Sequence, residues 1–173
     1  MSESGPGELR PPEGMRPVAT GPLEGLDVAV VASRYNADVV ERLLTGAVER
    51  LEQRGVGRDR ITIVFVPGAW ELPLACRRVA EAGGHQAVVA LGCVIRGETP
   101  HFEYVCREAS RGVIQASLDT GIPVSFGLLT TDNHEHAMAR AGGSAGNKGA
   151  EAADAAVDMA ELLRALPRGH RRG

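Results

Sequence analysis

The hydrophobic positions of this chain follow two alternating periods from Leu26 onward. "LDVAVVAS" (26–33) is a near-continuous run rich in β-branched residues, the pattern of a strand covered on both faces. Val39, Val40, Leu43, Leu44, Ala47, Val48 and Leu51 then recur at helical spacing up to Gly55, which predicts an amphipathic helix with a glycine stop. The side-chain oxygen of Asn36 is suited to cap that helix by accepting a free amide hydrogen. "ITIVFV" (61–66) predicts a second strand and 69–82 a second helix, in which Pro73 is tolerable only near the first turn. "AVVALGCVI" (87–95) predicts a third strand. Thr99 then stands as a cap with Pro100 at the first helical position, and the helix runs through Val105, Ala109, Val113 and Ala116 to Gly121. "PVSFGLLT" (123–130) is a fourth strand, followed by a short helix at 134–140 and a long Ala-rich one at about 148–166.

Strands that alternate with helices pair in parallel through right-handed crossovers and carry helices on both faces. The expected architecture is a three-layer α/β/α sandwich with a four-stranded parallel sheet, occupying 24–166. Residues 1–23 are dense in Pro, Gly, Ser and Glu and bury too little apolar surface to offset chain entropy, so they read as a flexible arm. Within the arm, "RPVAT" (16–20) is a candidate strand for a neighbouring subunit's sheet. Residues 167–173 form a basic tail.

Composition narrows the function classes. At 173 residues the chain suits one domain. A net charge of -3 offers no electrostatic footprint for nucleic acid, and the one basic cluster, "RGHRR" (168–172), reads as a solvated tail. No apolar run reaches the roughly 18 residues that span a bilayer, and the first residues show neither a basic start followed by an apolar block nor a small-residue cleavage site, so secretion is not expected. Cys76, Cys93 and Cys106 are odd in number and embedded in apolar sequence, as expected of buried, reduced thiols in a cytoplasmic protein. His134 and His136 have no accompanying ligand cluster, so no metal site is expected and they read as exposed loop histidines.

In parallel sheets ligands bind beyond the carboxyl ends of the strands. Four stretches fall there: "SRYN" (33–36), "PGAWELP" (67–73), "GCVIRGETPHF" (92–102) and "SFGLLTT" (125–131). The chain has only six aromatic residues, and Tyr35 and Trp70 each follow a strand, where a ring can stack on a planar ligand or merely cover the sheet edge. Glu71, at a helix start, can serve as a cap or accept hydrogen bonds from ligand hydroxyls. Gly97, the free amides of the next helix and the Thr99 hydroxyl suit an anion such as phosphate. Beside them His101 is either a proton shuttle, since imidazole titrates near neutral pH, or a surface histidine next to a structural cap. A glycine-rich stretch, "RAGGSAGNKG" (140–149), adds Arg140 and Lys148 on a flexible loop without a Walker motif.

Taken together, "SRYN", "GAVERLEQRGV" (46–56), "VPGAWELPLA" (66–75), "ALGCVIRGETPHFEYVC" (90–106), "TGIPVSFGLLTTDN" (120–133) and "RAGGSAGNKGAEAA" (140–153) closely resemble the 6,7-dimethyl-8-ribityllumazine synthase family. The pieces come in the family's order and cover about 26–163. The resemblance implies a flavodoxin-like fold and a transferase of riboflavin biosynthesis, without metal or organic cofactor. The reaction condenses 5-amino-6-(D-ribitylamino)uracil with L-3,4-dihydroxy-2-butanone 4-phosphate and releases phosphate and water. Carried over by position, Tyr35 stacks on the pyrimidine, Ala69, Trp70 and Glu71 hold the ring and ribityl chain, and Cys93, Val94 and Ile95 line the ring. Glu98, Thr99 and Arg140 bind phosphate, His101 is the proton donor, and Phe126 comes from the neighbouring subunit. Asn36 and Lys148 are additional candidates. A carboxylate facing phosphate would repel it, so Glu98 is expected to offer its backbone amide and turn its side chain to solvent.

The same resemblance implies a homo-oligomer of pentamers with active sites between subunits. The short "GGSAGNKG" loop (142–149) resembles that of relatives that pack twelve pentamers into a sixty-subunit shell. Two other readings are a shell-forming or flavin-binding relative without catalysis, and an archaeal-type riboflavin synthase; intact Thr99, His101 and Arg140 disfavour the first, and "GETPHF" the second.

Overall fold

The computed structural model describes residues 7 and 9–167. Strands β1 (Val28–Ser33), β2 (Ile61–Val66), β3 (Ala87–Ile95) and β4 (Val124–Thr131) form one parallel sheet in the order β2-β1-β3-β4. Helices α1 (Ala37–Gln53), α2 (Leu72–Glu81), α3 (His101–Thr120), α4 (His134–Arg140) and α5 (Lys148–Ala165) lie between and after the strands. The three-layer α/β/α sandwich with a four-stranded parallel sheet is therefore present as expected.

The alternation of strand side chains divides the core in two. Val28, Val30, Ala32, Val89 and Leu91 face a layer of α1, α4 and α5, packed with Leu43, Ala137 and Ala153. Ala29, Val31, Val88 and Ala90 face α2 and α3, packed with Leu72, Cys76 and Val113. Small residues bring α5 close to α1: a side chain at Gly149 would begin 2.1 Å from the Leu43 carbonyl oxygen. Arg54 of α1 then bridges to Asp154 at 3.0 Å and Asp158 at 2.7 Å on α5.

Several local expectations change. Asn36 adopts a left-handed conformation (φ 55°), and its side chain caps nothing; instead Nδ2 donates to the Cys93 carbonyl at 2.9 Å. Asparagine tolerates this region better than most residues, so it can turn the chain from β1 into α1 while tying β1 to β3. Residues 69–71 form a 3₁₀ turn and α2 starts only at Leu72, which leaves Pro73 in the first turn. Thr99 is not a cap: α3 starts at His101 after Pro100, with no side-chain cap hydrogen bond. The Thr99 hydroxyl is thus left for another partner.

The glycine-rich stretch is not a loose loop. It forms an antiparallel hairpin of β5 (Ala141–Gly143) and β6 (Gly146–Asn147). His134 and His136 lie on α4 rather than in a loop. Cys76 and Cys93 are buried free thiols, but Cys106 is only half-buried. Residues 9–22 contain neither helix nor strand, and the "RGHRR" cluster lies outside the described residues. Among the described residues no helix is long and apolar enough to cross a membrane.

Candidate active site

Parallel strands deliver their carboxyl ends to one edge of the sheet, and the candidate residues are built from there. The exits of β1 and β2 are laced together by backbone hydrogen bonds, with Arg34 N–H donating to the Val66 carbonyl at 3.0 Å and Tyr35 N–H to the Pro67 carbonyl at 3.3 Å. Gly68 makes room for the aromatic ring, because a Cβ there would fall 2.9 Å from Tyr35 Cδ2. The Gly68 N–H donates to Glu71 Oε2 at 2.9 Å, so Glu71 acts as a cap through one carboxylate oxygen. Tyr35 remains 72% exposed and Trp70 57%. Both rings thus stand largely in water beside the loops that follow β1 and β2, open to contact from outside the chain.

β3 reaches beyond β1 and brings Cys93, Val94 and Ile95 to the same edge, next to the Asn36 side chain. The Cys93 thiol is pushed up to about 12 by burial and by the nearby Asp38 charge. Both influences favour the neutral thiol over the thiolate, the nucleophilic form. Past Ile95, residues 96–101 are all exposed, and a Cβ at Gly97 would meet nothing within 4 Å. Among the described residues neither the Thr99 hydroxyl nor the His101 ring has a hydrogen-bond partner within the chain. Glu98 is likewise exposed, and its carboxylate takes part in no such bond. The turn thus presents a hydroxyl and an imidazole at the start of a 20-residue helix, where the helix dipole favours an anion.

Arg96, which the motif contains but which spacing did not single out, organises this turn. Its Nε donates to Asp132 Oδ1 at 2.8 Å, its Nη1 donates to the Glu103 carboxylate, and its guanidinium lies 4.3 Å from the centre of the Phe102 ring. The guanidinium holds the carboxyl groups of both Glu103 and Asp132 below their ordinary range. The only signal for this in sequence was the spacing of an arginine and a glutamate across a predicted helix start. Gly68 gave no signal of its own.

Three candidates lie apart from the rest. Arg140 and Lys148 belong to the α4–α5 layer, on the sheet face opposite α3. Arg140 Nη1 donates to the His136 carbonyl at 3.1 Å, and Lys148 Nζ pairs with Glu151 at 2.7 Å. Phe126 pairs with Ala90, five positions before Thr131, so it sits roughly 16 Å down the strand from the carboxyl edge. It is exposed on the edge strand β4. One chain therefore assembles the Tyr35, Trp70, Cys93 and His101 positions but does not bring Phe126 to them. A cavity of about 720 Å³, lined in part by Leu26, Gln86, Pro123 and Leu163, lies at the opposite edge of the sheet and takes in none of the candidates.

Comparison with known proteins bears on this arrangement. Residues 25–164 match the family model for 6,7-dimethyl-8-ribityllumazine synthase. A protein of that name from Salinibacter ruber is 52% identical over 141 residues, which is 82% of this chain and 90% of the relative. Another from Desulfovibrio desulfuricans is 51% identical over 143 residues, 83% of this chain and 92% of the relative. A third, from Nitratidesulfovibrio vulgaris, is 50% identical over the same length.

Proposed function

This chain belongs to the 6,7-dimethyl-8-ribityllumazine synthase family, and on that premise we propose how its own residues divide the work. The chain is a transferase of riboflavin biosynthesis that joins 5-amino-6-(D-ribitylamino)uracil to L-3,4-dihydroxy-2-butanone 4-phosphate, giving the lumazine, phosphate and water. The observation that carries this reading is the family match over 25–164, which takes in the exits of all four strands.

The pyrimidine lies against Tyr35, with Ala69, Trp70 and Glu71 holding the ring and the ribityl hydroxyls. Glu71 has one oxygen engaged by Gly68 N–H and the other available. Backbone groups of Cys93, Val94 and Ile95 line the ring edge, and Asn36 fixes their position through the Cys93 carbonyl. The Glu98 amide and the Thr99 hydroxyl receive the phosphate, and His101 moves protons as the amine adds to the ketone, phosphate leaves and the ring closes. These steps need a group that both gives and takes protons near neutral pH, which imidazole does.

Phe126 completes the pocket from a neighbouring subunit, since its own chain holds it far from the strand ends. Arg140 reaches the phosphate the same way, with Lys148 nearby. The protein is accordingly a homo-oligomer, a pentamer that packs into a sixty-subunit shell, as the short hairpin 141–147 and the exposed Tyr104, Ile114 and Leu118 on α3 favour. It works in the cytoplasm, with 24–166 as the catalytic domain and residues 16–20 of the arm adding a strand to a neighbour. Incubation of purified protein with both substrates should yield the lumazine chromophore and free phosphate in parallel; turnover no faster than the uncatalysed condensation refutes the reading. Light scattering decides pentamer against shell.

A further inference from the structure

We propose that Arg96 is a positioning residue for this reaction, clamping the β3–α3 turn so that Thr99 and His101 keep a fixed relation to the sheet edge. The proposal rests on the functional reading above. Arg96 N–H donates to the Thr131 carbonyl at 2.9 Å, carrying the β3–β4 ladder one residue past the end of β3 onto the last residue of β4. Beyond it the turn has little packing to hold it: residues 97–101 are exposed, Gly97 has open space around its Cβ direction, and α3 starts without a side-chain cap.

The Arg96 side chain supplies what the turn lacks. It reaches Asp132, directly past β4, and Glu103, in the first turn of α3, while stacking on Phe102, the neighbour of His101. The start of α3 is thereby fastened to the end of β4 from within two residues of the histidine. Only a planar fork can address two carboxylates and a ring face at once, so lysine is a partial substitute at best. Two carboxylates already flank the guanidinium and leave it a poor direct ligand for phosphate. Their lowered pKa values agree with both being ionised partners of Arg96.

The test compares Arg96→Met and Arg96→Lys, alone and combined with His101→Ala, and adds the double variant Asp132→Asn with Glu103→Gln. Misplacing a proton donor by about 1 Å can cost about 10²-fold. Arg96→Met should therefore lower kcat by about 10- to 100-fold and raise KM for the butanone phosphate, with KM for the pyrimidine within about twofold of the parent. Arg96→Lys should recover part of the loss. The double carboxamide variant, which keeps Arg96, should reproduce most of the loss. Once His101 is alanine, the further loss in kcat from Arg96→Met should shrink to less than about twofold, because the proton-moving group it positions is gone, while the rise in KM for the butanone phosphate, which comes through Thr99, should remain.

A kcat loss from Arg96→Met that persists in full without His101, or a double carboxamide variant at parental rate, overturns the proposal; the latter would make Arg96 a direct phosphate ligand. Amide hydrogen exchange gives a readout that does not depend on turnover. Arg96→Met should speed exchange in 98–104 while the α1–α5 layer keeps its protection. Unchanged exchange there overturns the clamp even if the parent protein proves inactive, an outcome that would separately refute the functional reading.

Discussion

The turn at 96–101 and the segment at 140–149 both carry glycine and polar residues into the start of a long helix, yet they are built in opposite ways. In 140–149 the Asn147 side chain and the backbone groups are used by the segment's own scaffold. Asn147 accepts hydrogen bonds from Gly149 and Ala150 N–H, caps α5, and donates to the Arg42 carbonyl on α1 at 3.0 Å. Ala145 N–H donates to the Ala139 carbonyl, and Gly149 sits against the Leu43 backbone where no Cβ fits. In 96–101 the helix start has no side-chain cap, the hydroxyl and imidazole face outward, and the only side-chain ties run through Arg96 at one flank. Glycine content alone therefore says little about looseness. The contrast lies in whether a segment's hydrogen-bonding groups are used by its own scaffold or left for a ligand.

If that contrast is sound, the largest effect on chemistry comes from the outward-facing turn. His101→Ala should slow turnover by up to about 10² to 10⁴-fold, the usual contribution of an acid-base group, with the lower part of that range expected because the condensation also proceeds unaided. Assembly size and melting temperature should stay at parental values, since the ring has no partner within its chain. An unchanged rate would remove His101 from its role and collapse the distinction between the two segments.

The inward-facing segment should answer in stability instead. Gly149→Ala drives a methyl group into the Leu43 backbone and should cost about 1 to 3 kcal/mol, the range for overpacking that forces the backbone to shift. Asn147→Ala removes the α5 cap and should cost about 1 kcal/mol. Urea midpoints at constant slope measure both. A Gly149→Ala protein as stable as the parent would show that the hairpin is looser than its contacts imply.

The strands were legible because the buried β1 and the mostly buried β3 need unbroken apolar runs, α1 because its apolar face repeats at helical spacing, and α5 because its run is rich in alanine. The strand runs even located the edge where Tyr35, Trp70 and His101 gather. What could not be read is which way each cap residue turns. Asn36 and Thr99 have side chains able to cap a helix, but whether they do depends on partners distant in sequence, such as the Cys93 carbonyl 57 residues beyond Asn36. The Arg96 clamp is hidden for the same reason. It joins residues 7 and 36 positions away, and only the pairing of β3 with β4 puts Asp132 within reach. Gly68 was invisible because its need is set by the Tyr35 ring from another strand exit. The position of Phe126 in the family motif implied a neighbour's pocket, and the β3–β4 register supplies the physical reason it cannot serve its own chain's strand ends.

The smallest predicted effect is the acid response of the clamp. Glu103 and Asp132 have pKa values lowered from 4.5 and 3.8, in each case first by the hydrogen bond from Arg96. A carboxylate whose folded value is depressed stabilises the folded state fully above its unfolded value and loses that contribution as pH falls through the folded value. The clamp should therefore be at full strength from about pH 5 upward and fade only below the ordinary carboxylate range. The difference in melting temperature between parent and Arg96→Met should be flat from pH 5 to 8, then shrink toward zero on acidification. Because all three side chains are partly in water, added salt should narrow the same difference at neutral pH. Calorimetry across pH 2.5 to 8 at two salt concentrations resolves both trends. A difference that stays constant as the carboxylates protonate would mean that Arg96 stabilises the turn through Phe102 stacking rather than through charge, and the outward-facing turn would then be held by packing much as the hairpin is.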